Sequence, residues 1–207
     1  VRSRRQRQMC IRDRSKINGL AQAILENESR QLNNVAKQID DDIVKASELI
    51  MDNNGKLVIC GLGKSGLIGQ KIVATLCSTG TKSVFVHAAE ALHGDLGIYN
   101  PGDPTLLISK SGNTEELVRL IPILREFQSP LIALVGNMDS YMAKNVDIVL
   151  NGTIESEVDP LGIVPTTSAL AALAIGDALA SVLMVRRGFN AEDLSLIHIS
   201  EPTRLGM

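Results

Sequence analysis

A chain of 207 residues that is 44% hydrophobic buries one sizeable core and is too short for two ordinary domains with linkers. Only 2% of it is aromatic, so the core is expected to consist of Ala, Val, Ile and Leu, the mix found where helices pack on a parallel sheet. The net charge of -2 hides an acidic body: outside residues 1–15, which hold six of the twelve arginines, 15 basic residues face 22 acidic ones, which argues against a nucleic-acid role.

The three cysteines, Cys10, Cys60 and Cys77, are an odd number without CxxC spacing, and no secretory signal opens the chain, so a reducing cytoplasm is expected. The Ala/Leu-rich run from Ser168 contains Asp177 and reads as a core helix, with no membrane association expected.

Residues 1–15 lack apolar periodicity, and composition changes abruptly at Lys16. One reading is a basic tail for nucleic acid or membrane. The other, which we favour, is that residues 1–15 and 195–207 resemble translated sequencing adapter and are foreign to a gene product that runs further on both sides. From Ile17 to Met51 apolar residues recur at helical spacing through Leu20, Ile24, Leu32, Val35, Ile39, Ile43 and Ile50. This predicts a lead-in of two helices over residues 16–54, of the kind that often serves an oligomer interface.

After Gly55 come five short apolar runs, Leu57–Cys60, Ser83–Val86, Thr105–Ile108, Leu131–Val135 and Asp147–Leu150. Helices are predicted between and after them at Ser65–Ser78, His87–Gly94, Thr114–Phe127, Ser140–Lys144 and Thr167–Arg187, the last stopped by Gly188. The alternation predicts an α/β fold over residues 55–194, a five-stranded parallel sheet wound with crossover helices.

Ligands of such sheets bind where strands end and helices begin, and three loops there are unusual. Gly61-Leu62-Gly63-Lys64-Ser65-Gly66 satisfies GxGxxG. A dinucleotide would also need an acid closing the second strand, where Val86-His87 stands, and a Walker loop would need glycine where Val58 stands. No cofactor is expected. A turn whose glycines only permit close packing leaves the lysine at its tip unexplained.

The second loop, Ser109 to Glu116, places the hydroxyls of Ser109, Ser111 and Thr114 around Gly112 at a helix start. That is a cup suited to a phosphate monoester, whereas a simple cap would account for Thr114 alone. The third loop carries Glu155, Glu157 and Asp159, readable as a solvated acidic loop, then Pro165-Thr166-Thr167-Ser168, a second anion or sugar contact. His87 closes a strand and His93 follows about two helical turns later, so they need not converge on a metal.

In this order, GLGKSG, the STGT of Ser78–Thr81, VHAAEALHGDLG, SKSGNTEE and EVDPLGIVPTTS resemble the SIS-fold arabinose-5-phosphate isomerases, from about Gly55 to Asp193. The resemblance implies a three-layer αβα SIS fold and an aldose–ketose isomerase that works through an enediol with no cofactor and no required metal. Such enzymes serve Kdo, capsule or sugar-alcohol pathways and assemble as homodimers or homotetramers.

It implies catalytic roles for Lys64 (oxyanion stabilisation), Glu116 (orientation of the sugar or of Lys64), Glu157 (proton-shuttling base) and His198 (ring opening or proton transfer at oxygen). The family continues Pro-Gly-Gly after its histidine, whereas Ile199-Ser200-Glu201 follows here. Substrate contacts are implied for Ser65, Gly80, Thr81, His87, His93, Ser109, Ser111, Thr114, Thr166, Thr167 and Ser168, with His87 also a contact for an inhibitory divalent metal. Alternatives are a SIS isomerase for another sugar phosphate and a non-catalytic SIS sensor; retention of Lys64, Glu116 and Glu157 favours the enzyme.

Overall fold

The computed structural model describes residues 14–197. Helices α1 (Arg14–Ala36) and α2 (Asp41–Met51) lead into β1 (Leu57–Gly61), α3 (Gly63–Ser78), β2 (Ser83–His87) and the single turn α4 (Ala88–Ala91). Then follow β3 (Thr105–Ser109), α5 (Glu115–Glu126), β4 (Leu131–Val135), α6 (Tyr141–Asn145), β5 (Ile148–Asn151), α7 (Thr167–Arg187) and α8 (Ala191–Ile197). The strands form one parallel sheet in the order β2-β1-β3-β4-β5. The chain leaves β1 in one direction to reach β2 and returns past it to β3, so the carboxyl ends of β1 and β3 flank the point where the winding reverses.

Every residue of β1, β3 and β4 is buried, as expected of strands covered on both faces. Side chains alternate across the sheet. Leu57, Ile59, Leu106, Ile108, Ile132 and Leu134 join one apolar cluster with Val35, Ile50, Ile72, Ile175 and Leu179 from α1, α2, α3 and α7. Val58, Cys60, Leu107, Leu131, Ala133 and Val135 join another with Leu117, Leu120, Leu124 and Met142 from α5 and α6. The result is the parallel α/β sheet expected from the run pattern, in the three-layer arrangement that the resemblance implied. Apart from Tyr99, no aromatic residue is among its buried hydrophobic side chains.

Helices α3 and α7 approach closely because Gly176 presents no side chain: a Cβ there would lie 2.3 Å from Ile72 Cδ1. Helix α7 is long and apolar enough to cross a bilayer by composition, yet its buried residues Ala171, Ile175, Leu179 and Leu183 belong to the core. Its Asp177 pairs with Lys71 of α3 at 2.5 Å. Gly188 ends it in the left-handed conformation at φ 65, as the sequence suggested.

Two elements differ from expectation. The helix predicted over His87–Gly94 shrinks to Ala88–Ala91; Gly94, at φ 124, turns the chain into a 3-10 turn over Asp95–Ile98. The additional helix α8 is nucleated by a reciprocal cap: Asn190 Oδ1 accepts from the N–H groups of Glu192 and Asp193, and Asp193 Oδ2 accepts from Asn190 N. Helices α1 and α8 run across the boundaries expected at residues 15/16 and 194/195.

Candidate active site

A cavity of about 210 Å³ lies over the carboxyl ends of β1, β3, β4 and β5, where the winding reverses. Its wall takes Leu62, Lys64 and Ser65 from the glycine loop and α3, Ser109 and Lys110 from the end of β3, Gly136 and Gly152 from beyond β4 and β5, and Pro165 and Ser168 from the approach to α7. Four consecutive strand ends and two helix starts therefore converge on one space. Lys64 is exposed at the first turn of α3, which begins two residues earlier than predicted, at Gly63.

The serine loop is built around Ser109, whose hydroxyl accepts the Gly112 N–H at 3.0 Å and lies 2.7 Å from Thr114 Oγ1 and 3.4 Å from Ser111 Oγ. Gly112 sits at φ 63, a conformation that costs an L-residue free energy. Thr114 occupies the N-cap of α5, but its side chain makes no cap hydrogen bond; its hydroxyl is turned toward Ser109 instead. The simple cap reading is thus excluded, and the N–H groups at the start of α5 keep their capacity for an anion. Ser111 is exposed, and its hydroxyl accepts the Asn113 N–H at 3.2 Å. Glu116 is half-buried in the first turn of α5.

Glu157 is the most heavily bonded side chain at this edge. Its Oε2 accepts from Thr166 N at 2.9 Å, Thr166 Oγ1 at 3.1 Å and Ser168 N at 3.1 Å. Its Oε1 accepts from Lys110 Nζ at 2.6 Å and from the Ser168 hydroxyl. Because Thr166 makes no side-chain cap of its own, Glu157 serves as the cap of α7, where a negative charge meets the positive end of the helix dipole. Burial opposes its ionisation, but Lys110, the Ser168 hydroxyl and the N–H groups of Ser168 and Thr166 outweigh that and hold its pKa at about 2. The acidic-loop reading fails here, since Glu157 is buried. Its charge lies behind the cavity wall, bonded to the wall residues Lys110 and Ser168.

Helix α1 anchors this loop from outside the sheet. Gln31, only 1% exposed, donates to Ser156 O at 2.7 Å and accepts from Glu155 N at 2.8 Å. Asn34 reaches Glu155 Oε1 at 2.9 Å, and Gln38 reaches Thr153 O at 3.2 Å. Neither Gln31 nor Lys110 was singled out from sequence. The only available signal was the i, i+3 spacing of polar Gln31 and Asn34 on one side of an otherwise amphipathic helix, with Gln38 just beyond its end.

The structure thus gathers Lys64, Ser65, Ser109 and Ser168 on the cavity wall. Ser111 and Thr114 stand beside Ser109, and Glu157 and Thr166 stand behind Lys110 and Ser168. Thr167 is fully buried with its hydroxyl unpartnered.

Other expected contacts lie elsewhere in this chain. Gly80 and Thr81 precede β2 at the opposite, amino edge of the sheet, lining a separate space with Lys82 and Arg187, so one subunit cannot bring them to this cavity. His87 ends the edge strand β2, beside Gly61 of β1, with its Nδ1 buried and unpartnered. His93 is exposed in the turn after α4. Among the described residues no cluster of three His, Cys, Asp or Glu side chains is placed to hold a metal. His198 lies outside the described residues.

A parallel α/β sheet with a hydroxyl cup and a lysine at its reversal point is an architecture suited to an anionic ligand. The SIS domain profile matches residues 49–182, and the chain belongs to the SIS domain family. It is 43% identical over 178 residues to arabinose 5-phosphate isomerase KdsD of Pseudomonas aeruginosa, covering 86% of this chain and 55% of that protein. It is 45% identical over 175 residues to the Salmonella typhi protein of the same name, covering 84% and 53%. The chain therefore spans about half the length of the curated relatives it matches. An Escherichia coli CFT073 protein solved in complex with arabinose 5-phosphate superimposes with a TM-score of 0.86 at 34% identity, covering 90% of this chain and 99% of that one.

Proposed function

We propose that this chain is the isomerase unit of an aldose–ketose isomerase that interconverts D-arabinose 5-phosphate and D-ribulose 5-phosphate. One observation carries the reading: Lys64, Ser109, Lys110 and Ser168 line one carboxyl-edge cavity, with the hydroxyls of Ser111 and Thr114 beside Ser109 and the Glu157 carboxylate bonded directly behind Lys110 and Ser168. The names of relatives at 43% and 45% identity support the same substrate.

In this reading the serine cup and the free N–H groups of α5 hold the 5-phosphate, so that remote binding energy fixes the reacting carbons. A carboxylate removes the C2 proton, the C2–H electron pair forms the C1–C2 double bond while the carbonyl pair moves to O1, and the enediolate is reprotonated at C1 as the O2 proton passes to O1. The atoms balance with no redox partner. Lys64 supplies fixed positive charge to the enediolate oxygens, Glu116 orients the sugar or Lys64, and Glu157 carries the proton. His198 completes the set at oxygen, and Ser65 and Ser168 border the sugar, with Thr166 supporting Glu157 behind them.

Placement in a reducing cytoplasm fits Cys60 and Cys77, both unpaired. Assembly as a homodimer or homotetramer fits the exposed Leu20 and Leu25 of α1 and the exposed Leu161 and Ile163 beside the site. Membership of Kdo, capsule or sugar-alcohol metabolism follows from the same substrate.

The deciding experiment mixes the protein with arabinose 5-phosphate in D2O and follows ribulose 5-phosphate by NMR. Turnover with deuterium appearing at the exchanged carbon is expected. Folded protein that binds the sugar phosphate without turning it over would move the reading to a sensor.

A further inference from the structure

The five donors to the Glu157 carboxylate divide unequally. Four belong to Thr166 and Ser168, at the start of the 21-residue helix α7: their two N–H groups cannot leave without unwinding its first turn, and their two hydroxyls sit on single-bond stems that reach no further than the same wall. The fifth is Lys110, from another element. Its backbone is fixed, because Lys110 O accepts the Gly136 N–H at 3.0 Å, but its ammonium rides on a four-carbon stem. The Lys110 side chain is 46% exposed while that of Glu157 is 2% exposed. Lys110 also borders both the main cavity and an adjoining space of about 260 Å³ lined by Ser111, Asn137 and Ile154. Room for the lysine head therefore exists on two sides, and none exists for the carboxylate.

We infer that Lys110 is an exchangeable cation: without ligand it holds Oε1 of Glu157, and with a sugar phosphate bound it moves to the ligand's carbonyl oxygen and vacates one lone pair of Oε1, which takes the C2 proton. The inference rests on the isomerase reading above and adds to it a residue and a trigger.

The exchange answers a chemical difficulty. With every donor in place, Glu157 is held at about 2, and so acidic a conjugate acid is a poor acceptor for a proton on carbon. Of the interactions that lower its pKa, the hydrogen bond from Lys110 is the largest. Withdrawing that ammonium strengthens the base only when substrate is present.

The same movement delivers positive charge to O1. As the C2–H pair becomes the C1–C2 double bond, the carbonyl pair collects on O1, where an ammonium acts most strongly. The proton goes to Oε1 and the charge to O1, so the step balances without any further reactant.

Few other charges compete. Lys64 lines the same cavity as a second cation. Glu155 is taken by Asn34, and Asp159 accepts the N–H groups of Leu161 and Val164. Among the described residues Lys110 is the only charged group bonded to Glu157.

The test is a carbon-13 NMR titration of the Glu157 carboxyl, assigned by its loss in Glu157→Gln, with and without saturating D-arabinose 5-phosphate. In the ligand-free protein the carboxyl is expected to titrate well below the usual carboxylate range. With the sugar phosphate its pKa should rise by about one unit or more, and in Lys110→Met it should start at that higher value and not move. Turnover in Lys110→Met should fall about 100-fold with little change in KM, and Lys110→Arg should recover part of it by keeping the charge.

An unmoved Glu157 titration on adding sugar phosphate overturns the exchange, as does a Lys110→Met protein whose Glu157 titrates as low as the parent's. A Glu157 that responds to a sugar phosphate that is bound but never isomerised overturns the isomerase reading and leaves the exchange standing. Should Lys110→Met fail to fold, the same titration on Lys110→Arg and on the parent decides the matter.

Discussion

Gln31 and Ser156, 125 residues apart in sequence, are joined at 2.7 Å, the amide of Gln31 donating to the Ser156 carbonyl while its oxygen accepts the neighbouring Glu155 N–H. One buried side chain thereby satisfies two main-chain groups of the loop that carries Glu157. Gln31→Leu keeps the volume and removes both bonds, leaving the Ser156 carbonyl and the Glu155 N–H without these partners. Stability should drop by about 2 kcal/mol, read as a lower urea midpoint at unchanged slope, and turnover should fall with it as the loop loosens. Equal stability in the two proteins would mean that α1 merely rests on the loop.

Glu157 should make stability depend on acid. Its folded pKa is depressed from an ordinary 4.5 to about 2, so its contribution is fully present above the unfolded value and is lost as pH falls through the folded one. The linkage amounts to at most roughly 3 kcal/mol. Urea midpoints at about pH 6 and about pH 3 should differ less in Glu157→Gln than in the parent. Parallel pH dependences would show that the carboxylate is not ionised against Lys110. The same variant should lose activity by orders of magnitude if Glu157 carries the proton.

The serine loop separates support from contact. Ser109 is 3% exposed and holds the Gly112 N–H, so Ser109→Ala should cost about 1–2 kcal/mol of stability as well as affinity. Ser111 is exposed, and Ser111→Ala should leave the urea midpoint nearly unchanged while weakening sugar-phosphate binding about tenfold. Calorimetric titration with arabinose 5-phosphate measures the second effect. A selective loss of turnover in Ser111→Ala, with affinity intact, would remove it from the phosphate cup.

The sheet was legible because period and punctuation agreed: continuous apolar runs such as Leu131–Val135 have no surface reading, and Gly188 marks its helix end without ambiguity. The three carboxyl-edge loops were legible for the same topological reason, since ligand positions follow from strand order. What remained hidden depends on contacts between distant segments. Nothing local to Lys110 says that it meets Glu157, 47 residues on. Gly80 and Thr81, by contrast, fall at the amino edge as the predicted strand Ser83–Val86 of a parallel sheet requires, and it was the resemblance alone that drew them toward the site. The helix predicted at His87–Gly94 was overextended because Gly94 acts as a breaker through a positive φ, whereas periodicity counts it as neutral.

Gly112 tests whether the shape of the serine loop is set by its backbone or by its hydroxyls. Its φ of 63 disfavours any side chain, and a Cβ there would lie 2.1 Å from Ser140 Oγ, the atom that caps α6 by accepting from Ala143 N at 3.3 Å. Gly112→Ala therefore suffers twice, from conformation and from the clash, and should lose about 3 kcal/mol. Ser140→Gly alone should cost only a few tenths of a kcal/mol at a cap position. Combined, the two should be less than additive, because removing the Ser140 side chain leaves only the conformational cost of roughly 1–2 kcal/mol. Urea unfolding of the four proteins completes the cycle. Full additivity would place Ser140 out of contact with the loop, whereas a double variant that regains stability but not affinity would show that binding needs the left-handed turn itself.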